Sequence, residues 1–143
     1  MKLKILIIDD HMLFREGLQG LLHLRDIEVV AAVGDGNQGI NLALELHPDI
    51  VLLDMRMPII DGISVLKKLK ELKLGMPIVV LTTSSNEQDL LEALKNGASG
   101  YLLKDMEPDE LVSALREINA GKTVVAPHLT SVLVRFVQGD TSS

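Results

Sequence analysis

The sequence feature that most constrains the fold is an apolar run that ends on one aspartate. Residues 50–53 read Ile-Val-Leu-Leu, Asp54 follows directly, and Pro58 stands four residues further on. A short, unbroken apolar run of this kind is typical of a strand buried on both faces of a parallel sheet. An acidic side chain at the carboxyl end of such a strand faces the crevice where ligands bind. The sequence therefore predicts that Asp54 is the reactive group.

The rest of the chain alternates between strand and helix patterns. Further apolar runs predict strands at residues 3–8, 27–33, 78–81 and 101–103. Each strand is followed by leucine-rich residues at helical spacing, which end near a glycine or proline. Five such repeats predict an α/β fold of the flavodoxin-like type. This is a doubly wound, five-stranded parallel sheet of order 2-1-3-4-5 with five helices.

The C-terminal segment departs from this alternation. Val124 and Val125 lead to Pro127, and apolar residues at helical spacing then predict a C-terminal linker helix: Leu129, Val132, Leu133 and Phe136. We expect residues 1–121 to form one domain and residues 122–143 a partly helical linker or tail. The helix either packs on its own domain or leads towards a further domain, and the two interpretations have equal weight. The closing residues 139–143 are expected to fray.

Composition excludes several classes of function. The formal net charge of −6 argues against direct nucleic-acid binding by this segment, because such surfaces are usually basic. The chain has no cysteine, which excludes disulfides and thiolate metal sites. No apolar run approaches about 18 residues, the length that a transmembrane helix needs. We expect a cytoplasmic protein without a membrane partner.

Polar residues follow four strands of the predicted sheet at one common edge. Asp9 and Asp10 end the first strand, Thr82 ends the fourth and Lys104 ends the fifth. Strands one and three are neighbours in the order 2-1-3-4-5, so Asp10 and Asp54 would lie side by side. Adjacent carboxylates repel each other unless a cation lies between them, and hard oxygen ligands suit Mg²⁺. This set predicts a phosphoryl-transfer site in which Asp54 is the nucleophile.

Each of these residues also has a simpler structural explanation. Asp9 or Asp10 could cap the helix that follows, and Thr82 could merely end a strand or cap a helix. Lys104 could be a solvated surface charge. Asp61 is expected to cap the third helix. The arrival of the whole set at one edge of one sheet favours a functional site over these explanations.

The ordered motifs resemble the receiver domain of bacterial response regulators. They are the acidic pair after strand one, LLDMRMPIIDG around strand three, Thr82 after strand four and GYLLKD around strand five. The resemblance covers about residues 3–120, and the DDH opening and the KDMEPDEL segment are similar to the NarL/FixJ subfamily. It implies a signalling switch rather than a substrate enzyme, one that catalyses only its own phosphorylation and slow dephosphorylation.

The resemblance also implies roles for individual residues around the metal. Asp54 would accept a phosphoryl group from the phosphohistidine of a sensor histidine kinase. Asp10, Asp54 and the backbone carbonyl of Arg56 would bind Mg²⁺ directly, and Asp9 would act through a water molecule. Lys104 would pair with the phosphoryl group.

The resemblance further implies a conformational response and an output. Thr82 would move to hydrogen-bond the phosphoryl group, and Tyr101 would change rotamer with it. The surface of helix four, strand five and helix five would then shift between two arrangements. The output would be a DNA-binding helix-turn-helix domain beyond the tail, which this chain does not contain, and phosphorylation could produce a homodimer.

Two positions depart from the commonest receiver pattern. Asp105 follows Lys104 where many receivers have a proline after a cis peptide, which should change the loop geometry without removing the chemistry. Arg56 lies two residues beyond Asp54, where its side chain can reach the mouth of the site. Either Arg56 tunes the lifetime of the phosphoryl group by its charge and by screening water, or it is a solvated arginine that contributes only its carbonyl.

Two rival functions come from different classes. Residues 34–39 spell G-x-G-x-x-G between a strand and a helix, which is typical of a dinucleotide-binding α/β domain. Against this alternative, Asp35 puts a negative charge where pyrophosphate would bind, and the motif follows strand two, away from the switch point. A phosphoester hydrolase is the second rival, but Arg56 stands where such enzymes usually carry an acid/base aspartate.

Overall fold

Strands and helices alternate along the whole computed structural model, which describes residues 2–138 without the side chain of Phe136. The strands are β1 (Lys4–Ile8), β2 (Glu28–Val33), β3 (Ile50–Leu53), β4 (Ile78–Thr82), β5 (Gly100–Leu103) and β6 (Val124–Val125). The helices are α1 (Met12–Leu24), α2 (Gly36–Leu46), α3 (Gly62–Glu71), α4 (Glu87–Lys95), α5 (Pro108–Asn119) and α6 (Thr130–Val137), with a 3₁₀ turn at Pro127–Leu129. Within residues 2–138, none of these helices has both the length and the apolar character needed to cross a membrane.

The described strands form one parallel sheet of order β2-β1-β3-β4-β5-β6. This confirms the predicted doubly wound order 2-1-3-4-5 and adds one strand that the sequence pattern did not predict. Val124 and Val125 pair with Gly100 and Tyr101 at the open edge of β5. A run of two valines is too short to identify as a strand by periodicity, and only the free edge of β5 gives it a partner.

Apolar side chains fill both faces of the sheet. Along β1, Ile5 and Ile7 pack towards α1 and α5, whereas Leu6 and Ile8 pack towards α2, α3 and α4. All four side chains are at most 1% exposed. Because successive residues of a strand point to opposite faces, a sheet covered on both sides requires an unbroken apolar run, as the sequence shows.

The beginning of the tail packs on its own domain. The backbone N–H of Ala126 donates to the carbonyl of Tyr101 at 2.9 Å, and the side chains of Ala126 and Leu129 are buried. Farther along, Arg135 of α6 lies 3.4 Å from the carboxylate of Glu87 at the start of α4. These contacts agree with the first interpretation of the tail. The predicted fraying of residues 139–143 and the side chain of Phe136 lie outside the described part of the chain.

Gly62 fixes the start of α3 against the end of β3. Its N–H donates to the carbonyl of Met55 at 3.0 Å. A Cβ atom at Gly62 would overlap the backbone oxygen of Asp54 and would lie 2.7 Å from the Cα of Met55. Because both neighbours are backbone atoms, they cannot yield by a change of rotamer, so only glycine permits this approach.

We expect Gly62→Ala to lower the free energy of unfolding by about 1–3 kcal/mol, since the added methyl group must displace the backbone beside Asp54. Gly17→Ala and Gly20→Ala are matched controls, because no described atom outside α1 lies within 4 Å of a Cβ at either position. These controls should raise stability by about 0.5–1 kcal/mol through helix propensity. Urea denaturation measures all three variants, and a Gly62→Ala protein as stable as the controls would contradict the steric argument.

Candidate functional site

The predicted polar residues meet at the carboxyl edge of the sheet. Asp9 and Asp10 follow β1, Asp54 follows β3, Thr82 is the last residue of β4 and Lys104 follows β5. The backbone places them together because the strands are parallel and all end on the same side. Asp9, Asp54 and Thr82 are at most 3% exposed, although polar residues are rarely this buried without a specific partner.

Lys104 joins two of the carboxylates. Its Nζ lies 2.6 Å from Oδ2 of Asp9 and 3.4 Å from Oδ2 of Asp54. The ammonium also lies 4.5 Å from the centre of the Phe14 ring, within the range of a cation–π contact. The Lys104 side chain is only 8% exposed, so it is not the solvated surface charge of the simpler explanation.

Burial raises the pKa of the Asp54 carboxyl, and the neighbouring carboxylate of Asp9 raises it further. The ammonium of Lys104 and the hydrogen bond from the Thr82 hydroxyl act in the opposite direction without cancelling the rise. Burial and Asp9 thus disfavour the ionised, nucleophilic form of Asp54, and additional positive charge at the site would favour it.

The acidic residues form a donor set that fits a divalent cation. Carboxylate oxygens of Asp9, Asp10 and Asp54 and a ring nitrogen of His11 all lie within 4.8 Å of one another. Oδ1 of Asp10 is buried and has no hydrogen-bond partner among the described residues. Lys104 balances only one of the three carboxylate charges. Oxygen donors, an unpartnered buried oxygen and excess negative charge are what Mg²⁺ would satisfy.

The capping explanation is wrong for Asp9 and Asp10. The N-cap residue of α1 is His11, and in the described part of the chain no side chain makes a capping bond there. Oδ1 of Asp9 instead accepts a hydrogen bond from the backbone N–H of His11 at 2.9 Å. The prediction for Asp61 is confirmed, because its carboxylate caps α3 by accepting from the N–H of Ser64 at 2.9 Å.

A hydrogen-bond network connects Thr82 to Tyr101 and to α4. The N–H of Ser84 donates to Oγ1 of Thr82 at 3.3 Å, and the phenol of buried Tyr101 donates to the carbonyl of Ser84 at 2.9 Å. The Ser84 hydroxyl donates to Asp89 at 2.7 Å. Sequence reasoning missed Ser84 and Asp89, because polar residues around a loop give no periodic signal. A polar loop directly after Thr82 was the one available indication.

Arg56 belongs to the same network. Its Nη2 donates to Oδ2 of Asp89 at 2.5 Å, so the guanidinium joins the loop after β3 to α4. The Arg56 side chain is 67% exposed, whereas that of Asp89 is 16% exposed. Arg56 is therefore neither a freely solvated side chain nor paired with a carboxylate of the acidic cluster.

The dinucleotide-binding alternative is not supported. Asp35 is the N-cap of α2, and its carboxylate accepts from the N–H of Asn37 at 3.0 Å. That carboxylate occupies the helix N-terminus where a pyrophosphate would have to bind. Gly39 is explained by packing, because a Cβ there would overlap the side chain of Ile8.

Comparison with known proteins gives a consistent result. A family model described as the response regulator receiver domain matches residues 5–116. The nitrate/nitrite response regulator protein NarL of Escherichia coli (strain K12) is 45% identical over 140 residues, which cover 97% of this chain and 65% of that protein. The transcriptional regulatory protein LnrK of Bacillus subtilis (strain 168) is 41% identical over 92% of this chain and 60% of its own length. The chain thus spans less than two thirds of these relatives.

A solved structure agrees over almost the whole chain. The LuxR-family two-component response regulator from Aurantimonas sp. SI85-9A1 superposes with a TM-score of 0.88. The alignment is 31% identical and covers 94% of this chain and 97% of that one.

Burial raises the pKa of Tyr101 from 10.0 to about 12, and the side chain of Ser84 opposes part of this rise. Tyr101 is the only tyrosine and the chain has no tryptophan, so ultraviolet absorbance reports on this side chain alone. We expect phenolate absorbance to appear near pH 12 in the folded protein and near about pH 10 in urea. The stabilisation from protonated Tyr101 is complete below about pH 10 and is lost as the pH rises towards 12. Equal titration midpoints in the folded and unfolded protein would contradict the buried position.

Proposed function

This chain belongs to the response regulator receiver family, whose members are phosphorylation-dependent signalling switches, and we propose that Asp54 is its phosphoacceptor. The observation that carries the proposal is the position of the Asp54 carboxylate. It is 2% exposed, ends the central strand β3 and lies 3.4 Å from the ammonium of Lys104. Asp9 is similarly buried and lies closer to Lys104, but among the three acidic residues of the cleft only Asp54 follows the central strand β3.

In the proposed reaction a carboxylate oxygen of Asp54 attacks the phosphorus of a phosphohistidine on a sensor histidine kinase. The new bond is the acyl phosphate P–O bond, the P–N bond of the donor breaks, and the released imidazole takes up a proton. Phosphoryl transfer requires mainly positioning and charge stabilisation. Lys104 is suited to this role because an ammonium buried beside Phe14 is poorly screened by water.

Asp10, Asp54 and the backbone carbonyl of Arg56 would hold Mg²⁺ directly, and Asp9 would act through a water molecule. Bound there, Mg²⁺ would neutralise charge on the phosphoryl oxygens and between the carboxylates. The chain's own contribution is to fix the donors. The N–H of Asp54 donates to the carbonyl of Ile8 at 3.0 Å, which ties the two acidic strand ends together.

The response to phosphorylation would pass through Thr82. Its hydroxyl would turn towards a phosphoryl oxygen on Asp54 and draw Ser84 with it, since the N–H of Ser84 already donates to Oγ1 of Thr82. Ser84 also accepts the Tyr101 hydrogen bond and contacts Asp89 of α4. A shift of this loop would therefore free Tyr101 to change rotamer and would move the surface of α4, β5 and α5.

The protein would act as a switch and not as a multiple-turnover hydrolase. A hydrolase of this type needs an acid/base residue near the nucleophile, and Arg56 is bonded to Asp89 instead. Catalysis would be confined to its own phosphorylation and slow dephosphorylation.

The domain division and the partners follow from the same proposal. Residues 1–121 would form the receiver domain, and residues 122–143 the linker to an output domain, with the first part of that linker packed on β5. A helix-turn-helix domain beyond the linker would bind DNA. The full protein would receive its phosphoryl group from a sensor kinase and could dimerise when phosphorylated.

We expect acetyl phosphate with Mg²⁺ to add one phosphoryl group to the protein, and Asp54→Asn to slow this reaction at least about a hundredfold, because the nucleophile is removed. Intact-mass spectrometry and peptide mapping measure the product. Asp26→Asn is the matched control, since this exposed aspartate pairs only with Lys2 among the described residues. Excess chelator should prevent phosphorylation. A phosphoryl group mapped to any other residue, or a reaction that proceeds in chelator, would refute the assignment.

We expect Arg56→Ala to shorten the lifetime of the phosphoryl group about two- to fivefold, a modest effect because the guanidinium is largely exposed. Asp89→Asn should lengthen that lifetime if the released Arg56 turns to the phosphoryl group, and should shorten it if Arg56 acts by holding α4. Phosphate release from the phosphorylated protein measures both rates. Arg25→Ala, which removes an exposed pair with Asp109, is the control. Equal lifetimes for Arg56→Ala and the control would exclude a role for Arg56.

A further inference from the structure

Arg15, near the start of α1, contacts the backbone from which the acidic pair projects. We propose that Arg15 is a positioning residue for Asp9 and Asp10, and that Gly34 leaves the space that its guanidinium occupies. The inference rests on the proposed function, because it concerns the same acidic cleft. It also gives a role to the first glycine of the G-x-G-x-x-G segment, which the dinucleotide-binding alternative left unexplained.

The first observation is a hydrogen bond from Arg15 to the backbone of Asp9. Nη1 of Arg15 donates to the carbonyl oxygen of Asp9 at 2.7 Å. No backbone N–H in the described part of the chain donates to this oxygen. The guanidinium therefore replaces the sheet partner that this carbonyl loses where β1 ends, and it satisfies a group that would otherwise need water.

This bond holds the peptide that joins the two acidic residues. The N–H of Asp9 donates to the carbonyl of Val33 at 2.9 Å, and Oδ2 of Asp9 lies 2.6 Å from Nζ of Lys104. The carbonyl that Arg15 binds belongs to the next peptide, between Asp9 and Asp10. Because a peptide unit is planar, fixing its oxygen also fixes the direction in which Asp10 continues. Arg15 thus orients both carboxylates of the pair through their backbone.

The second observation is the close approach of the guanidinium to Gly34. A Cβ atom at Gly34 would lie 2.8 Å from Nη1 and 3.6 Å from Cζ of Arg15. The φ angle of Gly34 is not positive, so its backbone conformation is also open to alanine. The atom in the way is the end of a flexible side chain. Alanine at this position should therefore displace the guanidinium from the Asp9 carbonyl and leave the backbone in place.

The sign of the effect on metal binding separates positioning from charge. The guanidinium bonds a backbone oxygen and not a carboxylate. A positive charge near a cation site repels the cation, so an arginine that acted by charge alone would weaken Mg²⁺ binding, and its removal would strengthen it. An arginine that positions the ligands has the opposite effect. Residues that support metal ligands typically change the affinity about 10- to 100-fold.

Titration of the metal-free protein with Mg²⁺, followed by amide chemical shifts, measures this affinity. We expect Arg15→Ala to weaken Mg²⁺ binding about tenfold, and Gly34→Ala to weaken it as well although the charge is kept. Arg116→Ala is the matched control, because this arginine donates to the carbonyl of Arg25 at 3.2 Å, at the other end of α1. Gly17→Ala is the control for an added methyl group. Both controls should bind Mg²⁺ like the wild type. Unchanged or stronger binding by Arg15→Ala overturns the inference, as does an equal loss in Arg116→Ala.

Urea denaturation without metal tests the contact between the two residues separately. Gly34→Ala should lower the urea midpoint more in the wild type than in Arg15→Ala, where no guanidinium remains to be displaced. An identical shift in both backgrounds would contradict the contact. The same curves establish that each variant is folded under the conditions of the Mg²⁺ titration.

Phosphorylation of the wild-type protein by acetyl phosphate with Mg²⁺ is measured in parallel. Its absence in a protein that binds Mg²⁺ would refute the phosphoacceptor proposal alone. Unchanged Mg²⁺ affinity in Arg15→Ala would refute the role of Arg15 alone. Wild-type protein that binds no Mg²⁺ would refute both the metal site and the inference.

Discussion

The structure depends on a charge imbalance buried at one edge of a parallel sheet. Lys104 lies 2.6 Å from the carboxylate of Asp9 and 3.4 Å from that of Asp54, yet one ammonium cannot neutralise the three carboxylates of the cleft. Burial and the Asp9 charge raise the pKa of Asp54, so further positive charge at the site would favour its ionised form. Excess negative charge of this kind would favour the binding of a metal cation.

The same edge connects chemistry to conformation, because Thr82 ends β4 and Ser84 lies in the loop directly after it. β4 pairs with the strand that presents Asp54, and Lys104 follows β5, one strand further along the sheet. Ser84 connects Thr82 with Tyr101. The backbone carbonyl of Tyr101 in turn accepts a hydrogen bond from the N–H of Ala126, at the beginning of the tail. A displacement of the loop after β4 would thus also displace α4 and the edge of β5 that pairs with β6.

The periodicity of apolar residues was sufficient to predict strands and helices, in which many residues repeat one pattern. It could not predict a contact that depends on a single partner residue. The strand order and the convergence of the predicted site residues followed from alternation and from the rule that parallel strands end on one side. Asp61 as a cap was predictable because capping is local. The pair between Arg56 and Asp89 was not, since the two residues are 33 positions apart and polar residues in loops have no period.

The sequence by itself determined the doubly wound sheet, the identity of the central acidic residue and the set of side chains around it, because these depend on local order and strand polarity. Only the tertiary structure decided that β6 completes the sheet, that Arg56 is paired with α4 and that His11 faces three carboxylates. Each of these depends on distances between segments that are remote in the chain or on the direction of one side chain. Chain folding, rather than any local pattern, sets those distances and directions.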